Sequence, residues 1–471
     1  MKKKLVHNLS ANVLQLVVNQ LFGVLIFYLL SVNLDKNSFG QVNLALALLL
    51  AVFNILSFGI DQVVVKKVAQ GDDAQSVLSL YAFHVIVAGF LFYGILLIGS
   101  LFFTHDNELY RLILLIGAGK LMIFFSTPLK QVSNGMERFK LLSYMLVVSN
   151  TVRGICLVVL ALLHHINLQT IVWVFIAGDA LELIVCAYLF TRYIKVPVKP
   201  RWAKMEYREL LKQSLPQVGV VLITSALARF DWLFIGFILS AAKLAEYSFA
   251  YKIFEISTLP LLAIAPLLIP RFTKLFKTDD HREADLKLLV RIELVIAALT
   301  ALLINMGWNP LIDMVTGGKY GAVNTTTIFI LSLCIPFMYL SNFLWTIFFV
   351  QNRLKMILHS FLITFGVNVA GDLLLIPIYK NEGAAAAFLL ACLAQVIFYM
   401  TKNTLAGLRG VFYYLIPSLI CAAASGFLAK MLFQNVWLAL LSSILFFVLS
   451  LLATQQIKLR DGKQLIKLLN W

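Results

Sequence analysis

The chain is 471 residues long, 61% hydrophobic and only 13% charged, with a mean hydropathy of +0.89. Soluble domains run near half apolar and a quarter charged, so this composition excludes a water-soluble enzyme or regulator and indicates a chain held almost wholly in a bilayer. The formal charge of +16 is spread between apolar segments and not gathered into one basic patch, which speaks to topology and not to nucleic acid.

A spanning helix needs about 20 mostly apolar residues. Windows of that size predict fourteen spans, at 11–32, 42–62, 77–103, 109–127, 141–163, 170–191, 215–239, 246–269, 288–306, 325–350, 356–377, 383–401, 411–432 and 436–454. The fold class expected is therefore all-α and integral to the membrane. Lys2, Lys3 and Lys4 lead into the first span with no small-residue cleavage site, so that span is expected to be retained. It carries no charge and sets Asn12, Gln15 and Asn19 on one helical face, with Gln20 beside them.

Further along, charges fall inside spans, where each costs about 2.5–3.5 kcal/mol on insertion scales and needs a partner or a water-filled cavity. Lys120 is in span 4, Arg153 in span 5, and Asp179 and Glu182 lie one turn apart in span 6. Arg229 and Asp231 occupy span 7, Lys252 and Glu255 are one turn apart in span 8, and Asp372 is toward the end of span 11. Asp61 and Glu293 are placed nearer span ends and weigh less. Pro216 suits a helix first turn, whereas Pro260, Pro266, Pro270 and Pro336 would loosen helices that bend. His84, His164 and His165 lack ligand spacing. All five cysteines (156, 186, 334, 392 and 421) fall in spans without paired spacing, as packing residues implying neither disulfide nor metal.

Alternate loops collect twenty-eight Lys and Arg, and the opposite loops four: Lys36, Lys243, Lys319 and Lys380. By the positive-inside rule both termini are expected in the cytoplasm, with an even number of spans. Local patterns also recur about 210 residues apart. Ser38-Phe39 matches Ser248-Phe249, Arg138-Phe139-Lys140 matches Arg353-Leu354-Lys355, and Asn150 has a counterpart in Asn368. Six spans per copy give two lobes of the same orientation, 1–195 and 215–405. A cytoplasmic linker at 196–214 joins them, and 406–471 adds two helices and a basic tail. Parallel repeats of this kind bind at the repeat interface and rock.

Ser38-Phe39-Gly40-Gln41, Leu56-Ser57-Phe58-Gly59-Ile60, Asn134-Gly135-Met136-Glu137-Arg138-Phe139-Lys140, Leu210-Leu211-Lys212-Gln213-Ser214-Leu215-Pro216 and Arg229-Phe230-Asp231 carry a resemblance. So does Glu246-Tyr247-Ser248-Phe249-Ala250-Tyr251. Together they resemble the polysaccharide-transporter family of the multidrug/oligosaccharidyl-lipid/polysaccharide exporter superfamily, end to end. The resemblance implies a flippase in the bacterial inner membrane. It would move undecaprenyl-pyrophosphate-linked oligosaccharide to the outer leaflet for O-antigen, capsule or exopolysaccharide assembly. Membrane lipids and a polymerase and chain-length regulator of the same pathway are the implied partners, with no cofactor, metal or nucleic acid. The chain departs from lipid II flippases, which have arginines in span 1, and from drug exporters with an Asp there.

On that reading Arg153, Arg229, Lys120 and Lys252 form a cationic wall for pyrophosphate. Asn12, Gln15 and Asn19 meet sugar hydroxyls, and Asp179, Glu182, Asp231, Glu255 and Asp372 are countercharges or couple an ion. Structural readings stand beside these. Arg153 with Asp179 or Glu182 is a static tie between spans 5 and 6. Lys252–Glu255 is a one-turn pair, and the span 1 amides are interhelical glue. The rival activity is a proton- or sodium-coupled drug antiporter of the same superfamily. A scaffold would need only static pairs, and an enzyme is disfavoured because there is no phosphate-cradling loop and no sizeable outer loop.

Overall fold

The computed structural model describes residues 2–103, 107–261, 268–269, 272–273, 276, 282–403, 408, 410–458 and 461, with side chains at 2–14, 103, 220, 222–228 and 282–283 outside the description. Asn12's side chain, Pro266 and Pro270 thus lie outside the described residues. Among those described, every regular element is a helix, as a bilayer requires: only internal hydrogen bonding satisfies the backbone there. The chain is a multi-pass membrane protein. It divides into two compact units, Met1–Ala245 and Glu246–Trp471.

Unit 1 begins with α1 (Lys2–Asn33) and α2 (Lys36–Ser57). Asp35 caps α2 by accepting from the backbone N–H groups of Asn37 (2.9 Å) and Ser38 (3.0 Å). The Ser38 N–H, with Asn37's behind it, holds this carboxyl below its ordinary range. The predicted span 42–62 is broken: α2 stops at Ser57, Phe58 and Gly59 turn left-handed (φ 52° and 67°), and a short α3 (Ile60–Ala69) follows. Then come α4 (Ala74–Phe103), α5 (Glu108–Gly135), α6 (Phe139–Leu162), α7 (Leu168–Tyr193) and α8 (Lys204–Phe234), the last running into a π turn at Ile235–Leu239.

Two expectations fail in this stretch for one reason. The linker is expected to last to 214 with Pro216 in a first turn, yet α8 starts at Lys204 and Pro216 lies inside it. Likewise α5 is expected to end near 127, yet it continues through Pro128 and Lys130 to Gly135. Hydropathy windows stop where polar residues begin, but helices do not, because their backbone bonds are indifferent to side-chain polarity.

α8 packs on α2 and α3, and Gly59 permits it. A Cβ at residue 59 would lie 2.7 Å from the Gln217 side chain and 2.9 Å from the Gln217–Val218 backbone. The outward face of α4 leaves Phe90, Leu91, Ile95, Ile98, Leu101 and Phe102 exposed. An apolar stripe of that length has no place in water and matches lipid.

Unit 2 holds most of α9 (Ala241–Ser257), then α10 (Arg282–Thr316), α11 (Thr325–Val350), α12 (Leu354–Lys402), α13 (Phe412–Leu432) and α14 (Val436–Ala453). At 49 residues, a straight α12 would run about 74 Å, against a hydrocarbon core of about 30 Å. It folds back at Lys380 (φ 53°, ψ −129°). A Cβ at Gly371 would lie 2.8 Å from the Ala387 side chain, and one at Gly383 would run into the Leu375 backbone, so its arms, the two predicted spans 356–377 and 383–401, pack closely at these glycines. The two added helices α13 and α14 pack on each other and on α10. Among the described residues eleven helices are long and apolar enough to cross a membrane, α12 being counted once.

The internal repeat reappears as backbone geometry. Before α6, the N–H groups of Met136, Glu137 and Arg138 donate to Val132, Asn134 and Ser133, with Glu137 at φ 56°. Before α12, Gln351, Asn352 and Arg353 donate to Ile347, Phe349 and Phe348, with Asn352 at φ 58°. The matched Arg-x-Lys triplets thus follow the same left-handed helix stop. Gly59→Ala, strained in backbone and against α8, is expected to lower stability by about 1–3 kcal/mol. Melting in detergent would read this, with Gly94→Ala, which meets open space, unchanged.

Candidate functional site

The charges of α5, α6 and α7 converge inside unit 1. Asp179 and Glu182, three residues apart on α7, both face inward and are buried. Arg153 on α6 donates through Nη2 to Asp179 Oδ1, and Ser149, one turn earlier, donates to the same oxygen at 2.8 Å. The guanidinium also lies over the Phe175 ring, 4.4 Å from its centroid, a favourable use of its weakly hydrated face. Lys130 donates to Glu182 Oε1. Lys120 Nζ stands 3.8 Å from Asp179 Oδ2, an oxygen that receives no hydrogen bond.

Small residues make the cluster possible. A Cβ at Gly119 would lie 2.8 Å from Asp179 Oδ2, and one at Gly178 would lie 2.8 Å from Arg153 Cγ. The helices therefore approach closely enough for the bridges to close without water between them.

Three cations meet two carboxylates, leaving one positive charge in excess. The side chains of Lys130, Arg153, Asp179 and Glu182 are at most 8% exposed, whereas that of Lys120 is 23% exposed. Lys120 is the accessible edge of the cluster. Breaking a buried pair by removing one partner strands a charge, so the inner members are bound to one another.

The remaining sequence candidates lie elsewhere. Asn19 donates to the Leu146 carbonyl (3.2 Å) and accepts from Asn150 Nδ2 (3.2 Å), tying α1 to α6; Gln15 is half-buried. Arg229 stacks on Trp232, 4.1 Å from the ring centroid, and Asp231 is buried and accepts the Trp232 N–H at 2.9 Å. In unit 2, Lys252 and Glu255 pair at 2.7 Å, and buried Asp372 accepts from Asn368 at 3.0 Å.

Two sites depart from their sequence reading. Lys130, expected in a loop, is a buried member of the cluster; its spacing of ten residues from Lys120 on one helix is the signal. Glu293, expected near a span end, is buried within α10 with Oε1 unbonded. Cys334 and Cys392 are buried free thiols. Ser149, a small polar residue in an apolar span, carries no signal in the sequence that sets it apart. Among the described residues no three His, Cys, Asp or Glu side chains converge as a metal site.

A family model described as a polysaccharide biosynthesis protein matches residues 5–276. No curated protein matches the sequence. Among solved structures, a lipid II flippase MurJ in an inward closed conformation superposes with a TM-score of 0.73 at 13% identity, covering 97% of this chain and 99% of that one. An inward-facing multidrug resistance MATE family transporter of the MOP superfamily gives 0.60 at 14% identity, covering 85% and 98%. The Vibrio cholerae MATE transporter VcmN, as its D35N mutant, gives 0.56 at 12% identity, covering 87% and 97%. At these identities the likeness is one of fold.

Arg153→Ala is expected to cost about 3–5 kcal/mol by stranding Asp179, with Arg153→Leu/Asp179→Leu recovering most of it. Lys120→Ala, at the exposed edge, should cost no more than about 1 kcal/mol. Thermal unfolding of the three purified variants separates these outcomes.

Proposed function

The chain belongs to the polysaccharide biosynthesis protein family, and from that premise we propose that it flips undecaprenyl-pyrophosphate-linked oligosaccharide from the cytoplasmic to the outer leaflet of the bacterial inner membrane. It does so by alternating access, with both termini cytoplasmic, supplying O-antigen, capsule or exopolysaccharide assembly. The observation that carries the reading is the excess positive charge of the α5–α7 cluster, presented at Lys120. A pyrophosphate is the anion such a charge suits, and an intramembrane cation marks a substrate path by default.

In this mechanism Lys120 is the first contact for pyrophosphate. Its partner oxygen on Asp179 is 3.8 Å away, too far for a hydrogen bond, so an incoming phosphate oxygen displaces little. Arg153 and Lys130, each bound to a carboxylate, keep the field positive behind it. Arg229, held flat on Trp232, is a further cation of unit 1 offered to phosphate, and in unit 2 Lys252, paired with Glu255, is another. Gln15 and Asn19 offer neutral donors and acceptors to sugar hydroxyls, with Asn12 on the same helical face. Asp179 and Glu182 are countercharges; Asp231, Glu255 and Asp372 are the acids available to couple an ion.

The test is leaflet accessibility of a lipid-linked oligosaccharide in vesicles holding the purified protein. Translocation should depend on the protein and fall at least about tenfold in Lys120→Ala, the worth of one charge-assisted contact of roughly 1.4 kcal/mol or more. The melting temperature should barely move. Absence of translocation together with proton-driven uptake of cationic dyes would assign the drug-antiport activity instead.

A further inference from the structure

The segment joining α7 to α8 is pinned to the side of α4. The Arg201 N–H donates to the Ser79 carbonyl at 3.3 Å. The Trp202 ring lies 5.0 Å from Phe83 and 5.1 Å from Tyr207, and the Tyr207 hydroxyl sits 2.8 Å from His84 Nδ1, whose other nitrogen meets the Leu56 carbonyl. α4 has 30 residues, about 45 Å, so about 7 Å of each end projects beyond a hydrocarbon core of about 30 Å. Ser79, which holds Arg201, is about 7 Å along that helix, at the edge of the core, and Phe83 is about 6 Å deeper. Trp202, still 55% exposed, is therefore held at the boundary between acyl chains and headgroups, where tryptophan is favoured.

The first turns of α8 sort their residues by face. Lys204, Arg208 and Lys212, spaced i, i+4 and i+8, are all exposed, and Met205 (79% exposed) and Leu215 (60%) lie among them. Leu210 and Ser214 are buried on the opposite side. Glu206 and Glu209 fall on a third face, where Arg201 grips Glu206 through two bonds of 2.8 and 2.9 Å. No carboxylate bridges the three cations among the described residues. In water, exposed Trp, Met and Leu within a cationic strip have no partner. At a bilayer surface each has one.

We propose that Trp202, Lys204, Met205, Arg208, Lys212 and Leu215 form a headgroup site for anionic phospholipids of the adjacent leaflet. The cations meet phosphate and the apolar side chains reach the acyl chains. The site would anchor the start of α8 to the lipid surface whatever cargo the protein moves, so it goes beyond the transport reading and does not depend on it. Because α8 also packs on α2 and α3, headgroup composition becomes an input to unit 1.

Native mass spectrometry of the full-length protein, titrated with phosphatidylglycerol or phosphatidylethanolamine, tests this. Phosphatidylglycerol should bind in preference. The preference should fall about fivefold per cation removed and about a hundredfold in Lys204→Gln/Arg208→Gln/Lys212→Gln, following the roughly 1 kcal/mol each such cation contributes at an anionic surface. Lys204→Arg/Lys212→Arg should retain it, and raising salt should weaken it in the unaltered protein, which needs no variant to fold. A protein indifferent to headgroup charge, or a triple variant that keeps the preference, would overturn the proposal. Stronger capture of a polyprenyl pyrophosphate than of phosphatidylglycerol at the same residues would also overturn it.

Discussion

Unit 1 is organised around one buried carboxylate. Asp179 receives Arg153 and Ser149 on Oδ1 and faces Lys120 with Oδ2, so a single side chain of α7 joins α5 and α6. An ionised carboxylate in hydrocarbon is tolerable only with partners on several sides, and that requirement fixes much around it. Gly119 and Gly178 stay small because a Cβ at either would enter the bridge. Arg153 lies on Phe175 because its remaining face must be covered by something polarisable. Glu182 and Lys130 repeat the arrangement one turn away.

That constraint divides labour among residues that look equivalent by charge alone. A saturated, desolvated ion pair gives up little to a ligand, since any new partner must displace one already bound. Arg153, which the sequence offers as the leading substrate ligand, is bound to Asp179 and buried. Lys120 is not, because its nearest carboxylate oxygen is beyond hydrogen-bond reach and its side chain is partly accessible.

Much of this is legible from residues. Period and length place the helices, because in a bilayer the spanning element is dictated by backbone satisfaction. The i, i+3 spacing of Asp179 and Glu182 puts them on one face, and the Arg153–Asp179 and Lys252–Glu255 pairs are among the alternatives that spacing allows. What cannot be read are polar continuations of apolar helices. Lys130 and the Lys204–Gln213 stretch look like loop to any measure of hydropathy, yet one supplies a cluster cation and the other an amphipathic platform. Phe58-Gly59 reads as a motif without its meaning, which is a left-handed turn that lets α8 approach. Such meanings depend on what packs against a residue, and a linear pattern does not contain that.

The arithmetic of the cluster explains why its excess charge appears at an edge. Two unit charges about 4 Å apart attract by about 4 kcal/mol at an effective dielectric constant near 20. Lys120 feels that pull from Asp179, but Arg153 bonds to the same carboxylate and its positive charge offsets part of the attraction. A lysine in that balance has no strong internal partner, and its charge remains tolerable only where water or a ligand reaches it. Moving the surplus to Arg153 would bury an unmatched guanidinium, and moving it to Lys130 would unpair Glu182. The geometry therefore leaves one place for the unneutralised charge, on the side chain with the greatest exposure in the cluster.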